Sequence, residues 1–258
     1  MKIAYSSNSP WALRLLGALA VCLAVCAAAQ PLLVATDENL PPFSFVEGGK
    51  VVGVDVDMLR EAARRAHVAL DIQPMPWKRV LQELRQGDVP LASPLFRTPE
   101  REAFADYLGP VHISMLGLFV RKDRMFPFNK VDDLQGKRLG VMRGFVMQDE
   151  LDAAIKAGRV QVEEGTTVEQ NVGKLVLGRV DAFINNVAST YYQVRGTPAA
   201  QQIVVLPVLL QEHRPAFLAA SKAARGAALP GVEALGKALQ KQMQDGTYQK
   251  ILAGYTGQ

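Results

Sequence analysis

The sequence predicts an α/β fold built as two lobes, and three observations lead to this prediction. Short β-branched and aliphatic runs alternate with segments whose apolar residues recur at helical spacing, which is typical of α/β proteins. Of the 258 residues, 49% are apolar and 21% are charged, as in a packed globular protein rather than a disordered or fibrous one. Charge and proline content rise abruptly after residue 120, and the alternation then begins again, which indicates a second unit.

The first 29 residues are predicted to be a secretory signal peptide. Lys2 and Arg14 make the start basic, residues 15–25 are an apolar run, and Ala27 and Ala29 frame an A-x-A cleavage site. The run is about ten residues long, short of the roughly 20 that span a bilayer. We therefore expect cleavage after Ala29, export to the periplasm, and no membrane-spanning helix in the exported chain.

The composition of this leader also bears on the exported protein. Both cysteines, Cys22 and Cys26, lie within it, so no disulfide is expected after cleavage. Val21 and Val25 stand directly before them, where a lipoprotein needs a small residue, and lipid attachment is therefore not expected. Loss of the leader lowers the formal net charge from +4 to +2, which argues against a nucleic-acid partner.

The first unit begins with a strand at residues 32–36 that leads into a proline-rich loop at 37–43. After a second apolar piece, Asp55 is placed to cap a helix whose apolar residues recur at helical spacing. The strand that ends near Ser93 runs into a charged turn, and open α/β sheets bind ligands at such junctions. The remaining predicted elements of this unit are strands at 69–73, 91–93 and 112–120, and a helix at 78–86 that stops at Gly87.

The second unit repeats the alternation. Thr167 and Gln170 have the spacing of a capping box in front of an apolar helical face. Residues 203–210 are apolar and are expected to carry the chain back to the first lobe, before a C-terminal helix that begins near Val232. The other predicted elements are strands at 138–141 and 182–185 and a helix from about residue 148.

Several short motifs occur together along the chain after the leader. They are residues 37–45 (DENLPPFSF), 53–58 (GVDVDM), 98–101 (TPER) followed by Gly109 and Pro110, 136–144 (GKRLGVMRG), 178–182 (GRVDA) and 246–255 (GTYQKILAGY). In this order and at these spacings the chain resembles the family 3 extracellular solute-binding proteins, the bilobed receptors of polar amino-acid ABC importers.

The resemblance implies the type II periplasmic-binding-protein fold, with a discontinuous first lobe and two crossing strands as a hinge. A ligand cleft would lie between the lobes. We assign residues 30–120 and 211–258 to lobe 1 and residues 121–210 to lobe 2. The ligand would be a small carboxylate-bearing solute, and an ABC-transporter permease would be the partner of the monomeric, closed protein.

The resemblance also implies ligand-binding residues on lobe 1. Arg101 falls where the family places the arginine that binds the ligand α-carboxylate, and its planar fork of donors suits a carboxylate. The alternative is a solvated turn arginine paired with Glu100 or Glu102. Ser93 falls at a position that helps to hold the same carboxylate. Trp77 aligns with the apolar or aromatic wall of the pocket, or is a core residue.

Several positions depart from the family pattern. Leu40 replaces an aromatic residue that often lies opposite the wall. Asn186 replaces the second-lobe carboxylate that pairs with the ligand ammonium, and a neutral amide cannot neutralise a cation. Phe96 and Phe145 replace hydroxyl-bearing residues, as do Pro94 and Val146. We therefore expect a carboxylate ligand that need not be an α-amino acid, because an unpaired buried donor costs about 1 to 3 kcal/mol.

Two further arginines, Arg97 and Arg143, are predicted near the cleft mouth. They are either solvated turn residues or contacts for a dicarboxylate or phosphorylated ligand.

The sequence does not favour an enzyme, a metal site or a cofactor. The chain after the leader has three histidines, His67, His112 and His213, and no cysteine, H-E-x-x-H, G-x-S-x-G or Walker motif. Two alternatives of the same fold remain open: a ligand sensor or adaptor, and a cyclohexadienyl-dehydratase-like enzyme. The latter would need a general acid in the cleft, for which Glu38 and Glu102 are the candidates.

Overall fold

The computed structural model describes residues 30–143 and 149–257, apart from the side chain of Glu212. Leu32 is the first residue of one compact unit that extends to the C-terminus. The predicted leader and the predicted ligand residue Phe145 lie outside the described residues. None of the helices in the described part of the chain has the length and apolar character that a bilayer span requires.

A mixed sheet of nine strands forms the centre of the molecule, and a separate three-stranded sheet consists of β2, β3 and β4. The order in the large sheet is β5-β1-β6-β12-β7-β10-β8-β9, with β11 paired to β7. The strands are Leu32–Asp37 (β1), Asn39–Leu40 (β2), Ser44–Glu47 (β3), Lys50–Val52 (β4), Leu70–Met75 (β5), Leu91–Phe96 (β6), Ala105–Arg121 (β7), Arg138–Met142 (β8), Gln161–Gly165 (β9), Ala182–Asn186 (β10), Ile203–Val205 (β11) and Gln211–Ser221 (β12).

Nine α-helices are described, and some of them begin or end at residues that the sequence marks. Gly87 takes a left-handed conformation with φ 87° and ends α2, as predicted, and the Thr167 side chain caps α5. The helices are Val54–Ala66 (α1), Trp77–Gln86 (α2), Pro99–Glu102 (α3), Asp149–Lys156 (α4), Val168–Val176 (α5), Val187–Val194 (α6), Ala199–Gln202 (α7), Val232–Gln244 (α8) and Thr247–Thr256 (α9).

One prediction about an individual element is wrong, and another is right in part. Asp55 does not cap α1: Gly53 is the N-cap, and Asp55 lies inside the first turn, where it is fully buried. Residues 203–210 run back along β7 and begin the return to the first half, but only Ile203–Val205 is a strand, and β12 makes the crossing. The apolar character of 203–210 has another cause, since Leu206 is buried in a core that it shares with Leu118 and Val120.

Two long strands join the two halves of the large sheet. On one side, β5, β1 and β6 are parallel, and on the other side β9, β8 and β10 are parallel. Between them, β12 pairs antiparallel with both β6 and β7, and β7 pairs antiparallel with β10. The strand directions therefore reverse across the crossing, which is the arrangement expected of the type II periplasmic-binding-protein fold.

The buried core follows the same division. Val34, Leu91 and Leu239 belong to clusters built from the first part of the chain and its C-terminal segment. Leu139 and Ile184 belong to clusters built from the middle of the chain. This segregation supports the predicted lobes, whose boundaries at residues 120/121 and 210/211 stay a prediction.

Candidate functional site

The carboxyl ends of the two sets of parallel strands face each other across β7. Phe96, the last residue of β6, is in register with Ala216 of β12, and Ala216 is in register with His112 of β7. Asn186, the last residue of β10, is in register with Leu116 of β7. The two strand ends are thus four residues of β7 apart, roughly 14 Å, and point towards each other. Ligands of open α/β sheets bind at such carboxyl ends.

Arg101 lies at this edge, in the four-residue helix α3 that follows β6. Thr98 caps that helix by accepting a hydrogen bond from the Arg101 backbone N–H. The Arg101 guanidinium donates from Nη1 to the carbonyl of Phe96 at 3.0 Å, and its Cζ lies 5.5 Å from the centroid of the Trp77 ring. These contacts leave several N–H donors of the guanidinium for another acceptor.

Trp77 is the first residue of α2 and follows directly after the carboxyl end of β5. Its ring packs partly against a core cluster that includes Met75 and Leu81, and the side chain is half-buried. One part of the indole therefore lies in the core and another part faces Arg101, and the role of Trp77 as a pocket wall stays a prediction.

Phe96 connects the polar groups at the end of β6. Its carbonyl accepts hydrogen bonds from Arg101 and, at 3.1 Å, from the Tyr107 hydroxyl. Its ring lies edge-on to His112 with centroids 5.9 Å apart, and the Cζ of Arg214 lies 4.5 Å from the ring centroid. Burial raises the pKa of the Tyr107 phenol, so the phenol stays neutral and donates this bond at physiological pH.

Ser93 is buried in β6, in register with Thr36 of β1. Its Oγ has no hydrogen-bond partner among the described residues. The neighbouring Thr36 hydroxyl is satisfied, because its Oγ1 lies 2.6 Å from the Ser44 Oγ. The Ser93 hydroxyl is thus a free polar group at the predicted position, and its role in binding stays a prediction.

Asn186 caps α6 and also contacts β7. Its Oδ1 accepts a hydrogen bond from the Ser189 backbone N–H at 3.0 Å, and its Nδ2 donates to the Ser114 Oγ at 3.0 Å. Both polar atoms of the amide are therefore used within the protein. A contact between Asn186 and a ligand, which stays a prediction, would share or replace one of these bonds.

The structure places the other predicted residues around this edge. Leu40 is half-buried against the core cluster of the first half. Arg97 lies over the Tyr107 ring at 4.8 Å and pairs with Glu102 at 3.4 Å. Arg143 is exposed just after β8, with its Nε 3.6 Å from Glu164. Arg97 and Arg143 thus have carboxylate partners of their own.

A buried, hydrogen-bonded pair of titratable side chains lies behind Phe96. Nδ1 of His112 is 2.7 Å from Oδ1 of Asp55, and Phe43 stacks on the imidazole with centroids 3.9 Å apart. Burial raises the pKa of Asp55, and the neighbouring His112 offsets part of that effect. No group of three or more potential metal-ligating side chains is present in the described part of the chain.

Sequence reasoning missed Arg214, which has no motif of its own. It lies on β12 in register with Ser114 of β7, midway between the two strand ends that face each other. Only the pairing of two strands about 100 residues apart in sequence brings it to Phe96, and local patterns do not contain that information.

Comparisons with known proteins identify relatives of the whole chain. The chain is 25% identical to the probable amino-acid-binding protein YxeM of Bacillus subtilis, over 83% of this chain and 79% of that protein. It is 25% identical to the putative amino-acid ABC transporter-binding protein PatH of Vibrio harveyi, over 96% of this chain and 97% of that protein. Against several other curated relatives the match spans 55% to 65% of their length.

The solved structures are similar in fold. Substrate-binding domain 2 of GlnP from Lactococcus lactis, in an open conformation, superposes with a TM-score of 0.72 at 21% identity, covering 90% of this chain and 97% of that domain. The family model of the bacterial extracellular solute-binding proteins, family 3, matches residues 32–258. Its members and the relatives found are binding proteins rather than enzymes. The chain therefore belongs to the bacterial extracellular solute-binding proteins, family 3.

Proposed function

We propose that this protein is a periplasmic solute-binding protein that captures a small carboxylate-bearing solute, an amino acid or a related organic acid, and delivers it to an ABC importer. The observation that carries the proposal is the position of Arg101. It stands at the carboxyl end of β6, with its guanidinium between the Phe96 carbonyl and the Trp77 ring, at the edge that faces the other half of the sheet.

The chemistry of this edge supports an anionic ligand. Among the described side chains, Glu100 pairs with Arg85 and Glu102 pairs with Arg97, and no ion pair includes Arg101. A guanidinium offers two parallel donors to a carboxylate and stays charged at every working pH. The Ser93 hydroxyl, which lacks a partner within the described chain, is a second donor on β6, the strand that precedes α3.

Closure of two lobes would complete the site. In this proposal residues 30–120 and 211–258 form lobe 1, residues 121–210 form lobe 2, and β7 and β12 act as the hinge. Only ligand contacts that differ between the open and closed states can shift the equilibrium between them. A ligand held on the first half would contact Asn186 or Arg143 of the second half only in the closed state, and these contacts would supply that difference. The closed monomer would then present the surface that a permease recognises.

Amino acids are reasonable first ligands because curated relatives are named as amino-acid-binding proteins. The relatives are about one quarter identical, which leaves room for a different solute. We retain the proposal that the ligand need not carry an ammonium group, since the Asn186 amide is neutral and its two polar atoms are already bonded.

The test is a thermal-shift screen of the protein as exported, against amino acids, keto acids, aromatic acids and dicarboxylates. A ligand at 100 times its Kd adds about 2.7 kcal/mol, which raises the Tm by roughly 5 to 10 °C for a chain of this size. The mass of the purified protein also tests cleavage after Ala29. Calorimetry with the best ligand then compares the wild type with Arg101→Ala.

Arg101→Ala is expected to abolish binding while the Tm without ligand changes little, because the lost partner is the charge of the ligand. Arg179→Ala is the matched control: Arg179 is exposed and precedes the amino end of β10, away from the edge that faces the other half. Unchanged affinity in Arg101→Ala would contradict the proposed site. No stabilisation by any compound would contradict solute capture and favour a sensor or adaptor role.

A further inference from the structure

Arg214 occupies the middle of the proposed cleft. On β12 it is in register with Ser114, the β7 residue whose Oγ accepts a hydrogen bond from Asn186 of the second half. Two residues further along β12, Ala216 is in register with Phe96 of the first half. Arg214 therefore lies between the strand end of each half, on a strand that connects them.

The Arg214 side chain is exposed and turned towards the first half. Its Cζ lies 4.5 Å from the centroid of the Phe96 ring, a cation–π contact that holds the guanidinium in place without neutralising its charge. None of the ion pairs between described side chains includes Arg214; the side chain of Glu212, two residues away on β12, lies outside the described part of the structure. In this respect it resembles Arg101 and differs from Arg97 and Arg143, which pair with Glu102 and Glu164.

Arg101 and Arg214 both contact Phe96. The Phe96 carbonyl accepts from Arg101, and the Phe96 ring carries Arg214. Two guanidinium groups thus lie against the same phenylalanine, one at its carbonyl and one at its ring. A ligand with two carboxylates could contact one guanidinium with each of them.

We propose that Arg214 is a ligand-contacting, specificity-determining residue that binds a second carboxylate of the solute, so that the cleft prefers dicarboxylates to monocarboxylates. This inference rests on the proposed function, in which Arg101 binds the first carboxylate. A carboxylate is the chemistry that fits best, because the planar fork of Arg214 is a bidentate partner for it. The aliphatic stretch between the two carboxylates would lie along the Phe96 ring.

The test uses two pairs of probes that differ by one carboxylate: succinate against butyrate, and L-glutamate against L-glutamine. Calorimetry gives the ratio of the two Kd values within each pair for the exported wild type and for Arg214→Gln, Arg214→Lys and Arg179→Gln. Arg179→Gln removes the same charge from an exposed position away from this edge. The Tm of each unliganded variant reports whether its fold is retained.

The wild type is expected to bind the dicarboxylate of at least one pair 10- to 100-fold more tightly, about the effect of one charge-assisted hydrogen-bonded contact. Arg214→Gln is expected to lose this preference and keep its affinity for the monocarboxylate within about 3-fold. Arg214→Lys should retain part of the preference, because it keeps the charge and loses the fork. Arg179→Gln should behave as the wild type.

Failure of this inference and failure of the proposed function give different results. If the wild type binds carboxylates without preferring the dicarboxylate, or if the Arg214→Gln variant keeps the wild-type ratio, the role of Arg214 alone is overturned. Wild type that binds none of the four probes at millimolar concentration would overturn both the dicarboxylate preference and the carboxylate site at Arg101.

Discussion

The imidazole of His112 and the carboxylate of Asp55 form a fully enclosed pair, with Nδ1 and Oδ1 2.7 Å apart and side-chain exposures of 1% and 0%. The pair joins the first turn of α1 to β7 at the point where the two halves of the sheet meet. Oδ2 of Asp55 has no partner among the described residues. The pair is therefore costly to bury, and each member depends on the other.

Removal of either partner should destabilise the protein strongly. We expect Asp55→Ala to lower the free energy of unfolding by about 3 to 5 kcal/mol, because His112 would stay buried without its partner. His112→Ala should cost a similar amount, and the double variant should cost less than the sum of the two. Urea unfolding followed by circular dichroism measures all three, and additive losses would show that the pair is not coupled.

Gly53 should not tolerate a side chain. Its φ of 130° is rarely adopted by other residues, and a Cβ there would lie 2.3 Å from the Phe43 carbonyl oxygen. Because the clash is with backbone, Gly53→Ala should lower the free energy of unfolding by more than about 2 kcal/mol. Gly254→Ala in α9 is the control: nothing lies within 4 Å of its Cβ, and it should stabilise by up to about 1 kcal/mol. Thermal melts of both variants measure this difference. Equal changes in the Tm of Gly53→Ala and Gly254→Ala would show that the backbone relieves the clash.

Acid should weaken the contact between α1 and the C-terminal helices. Hydrogen bonds from Arg64 and Arg65 lower the pKa of Glu61 to about 2. The Thr247 hydroxyl and Arg65 lower the pKa of Asp245 to about 2 as well. Both carboxylates have lower pKa values folded than unfolded, so their stabilisation is present above about pH 4.5 and is lost as the pH falls towards 2.

The corresponding measurement is the Tm between pH 6 and pH 2. The wild-type Tm should fall over this range, and the fall should be shallower for Glu61→Gln/Asp245→Asn. Glu233→Gln is the control, because the exposed Glu233 pairs only with its helical neighbour Lys237 in the described structure, 2.6 Å away. If the Tm of the double variant falls with pH as steeply as that of the wild type, the acid sensitivity comes from other groups.

Local patterns predicted much of the fold because the deciding signals are local. The strand at Leu32–Asp37, the glycine that ends α2 and the threonine that caps α5 each depend on a few neighbouring residues. The family motifs also placed Arg101 and Trp77, and the structure brings these two side chains together.

The failed prediction for Asp55 and the contact of Arg214 that no motif indicated also have physical reasons. Asp55 has the sequence features of a helix cap, but its buried partner His112 is 57 positions away. Arg214 depends on the register of β12 against β7, which shifts at irregularities between residues 211 and 214 and again near Phe217. A bulge moves side chains relative to their partners, and no periodicity within one strand records it. Motifs therefore predict candidate residues such as Arg101, and they do not indicate a residue such as Arg214 that only strand pairing brings to the same edge.

Trp77 makes ligand binding directly observable. The sequence has two tryptophans, Trp11 in the predicted leader and Trp77, so the exported protein would carry a single indole. The guanidinium of Arg101 lies over this indole, 5.5 Å from its centroid. A carboxylate that binds Arg101 would change the charge next to the ring, so the emission of Trp77 should change in intensity or wavelength with a saturating dependence on ligand.

The fluorescence titration should give the same Kd as calorimetry. Trp77→Phe removes the signal and leaves an aromatic surface, so calorimetry should find affinity within about 10-fold of the wild type, since one ring contact contributes about 0.5 to 1.5 kcal/mol. Trp77→Ala should weaken binding further than Trp77→Phe. If a ligand binds by calorimetry and the emission of Trp77 does not change, the solute binds away from Arg101, and the site must be sought elsewhere on the sheet.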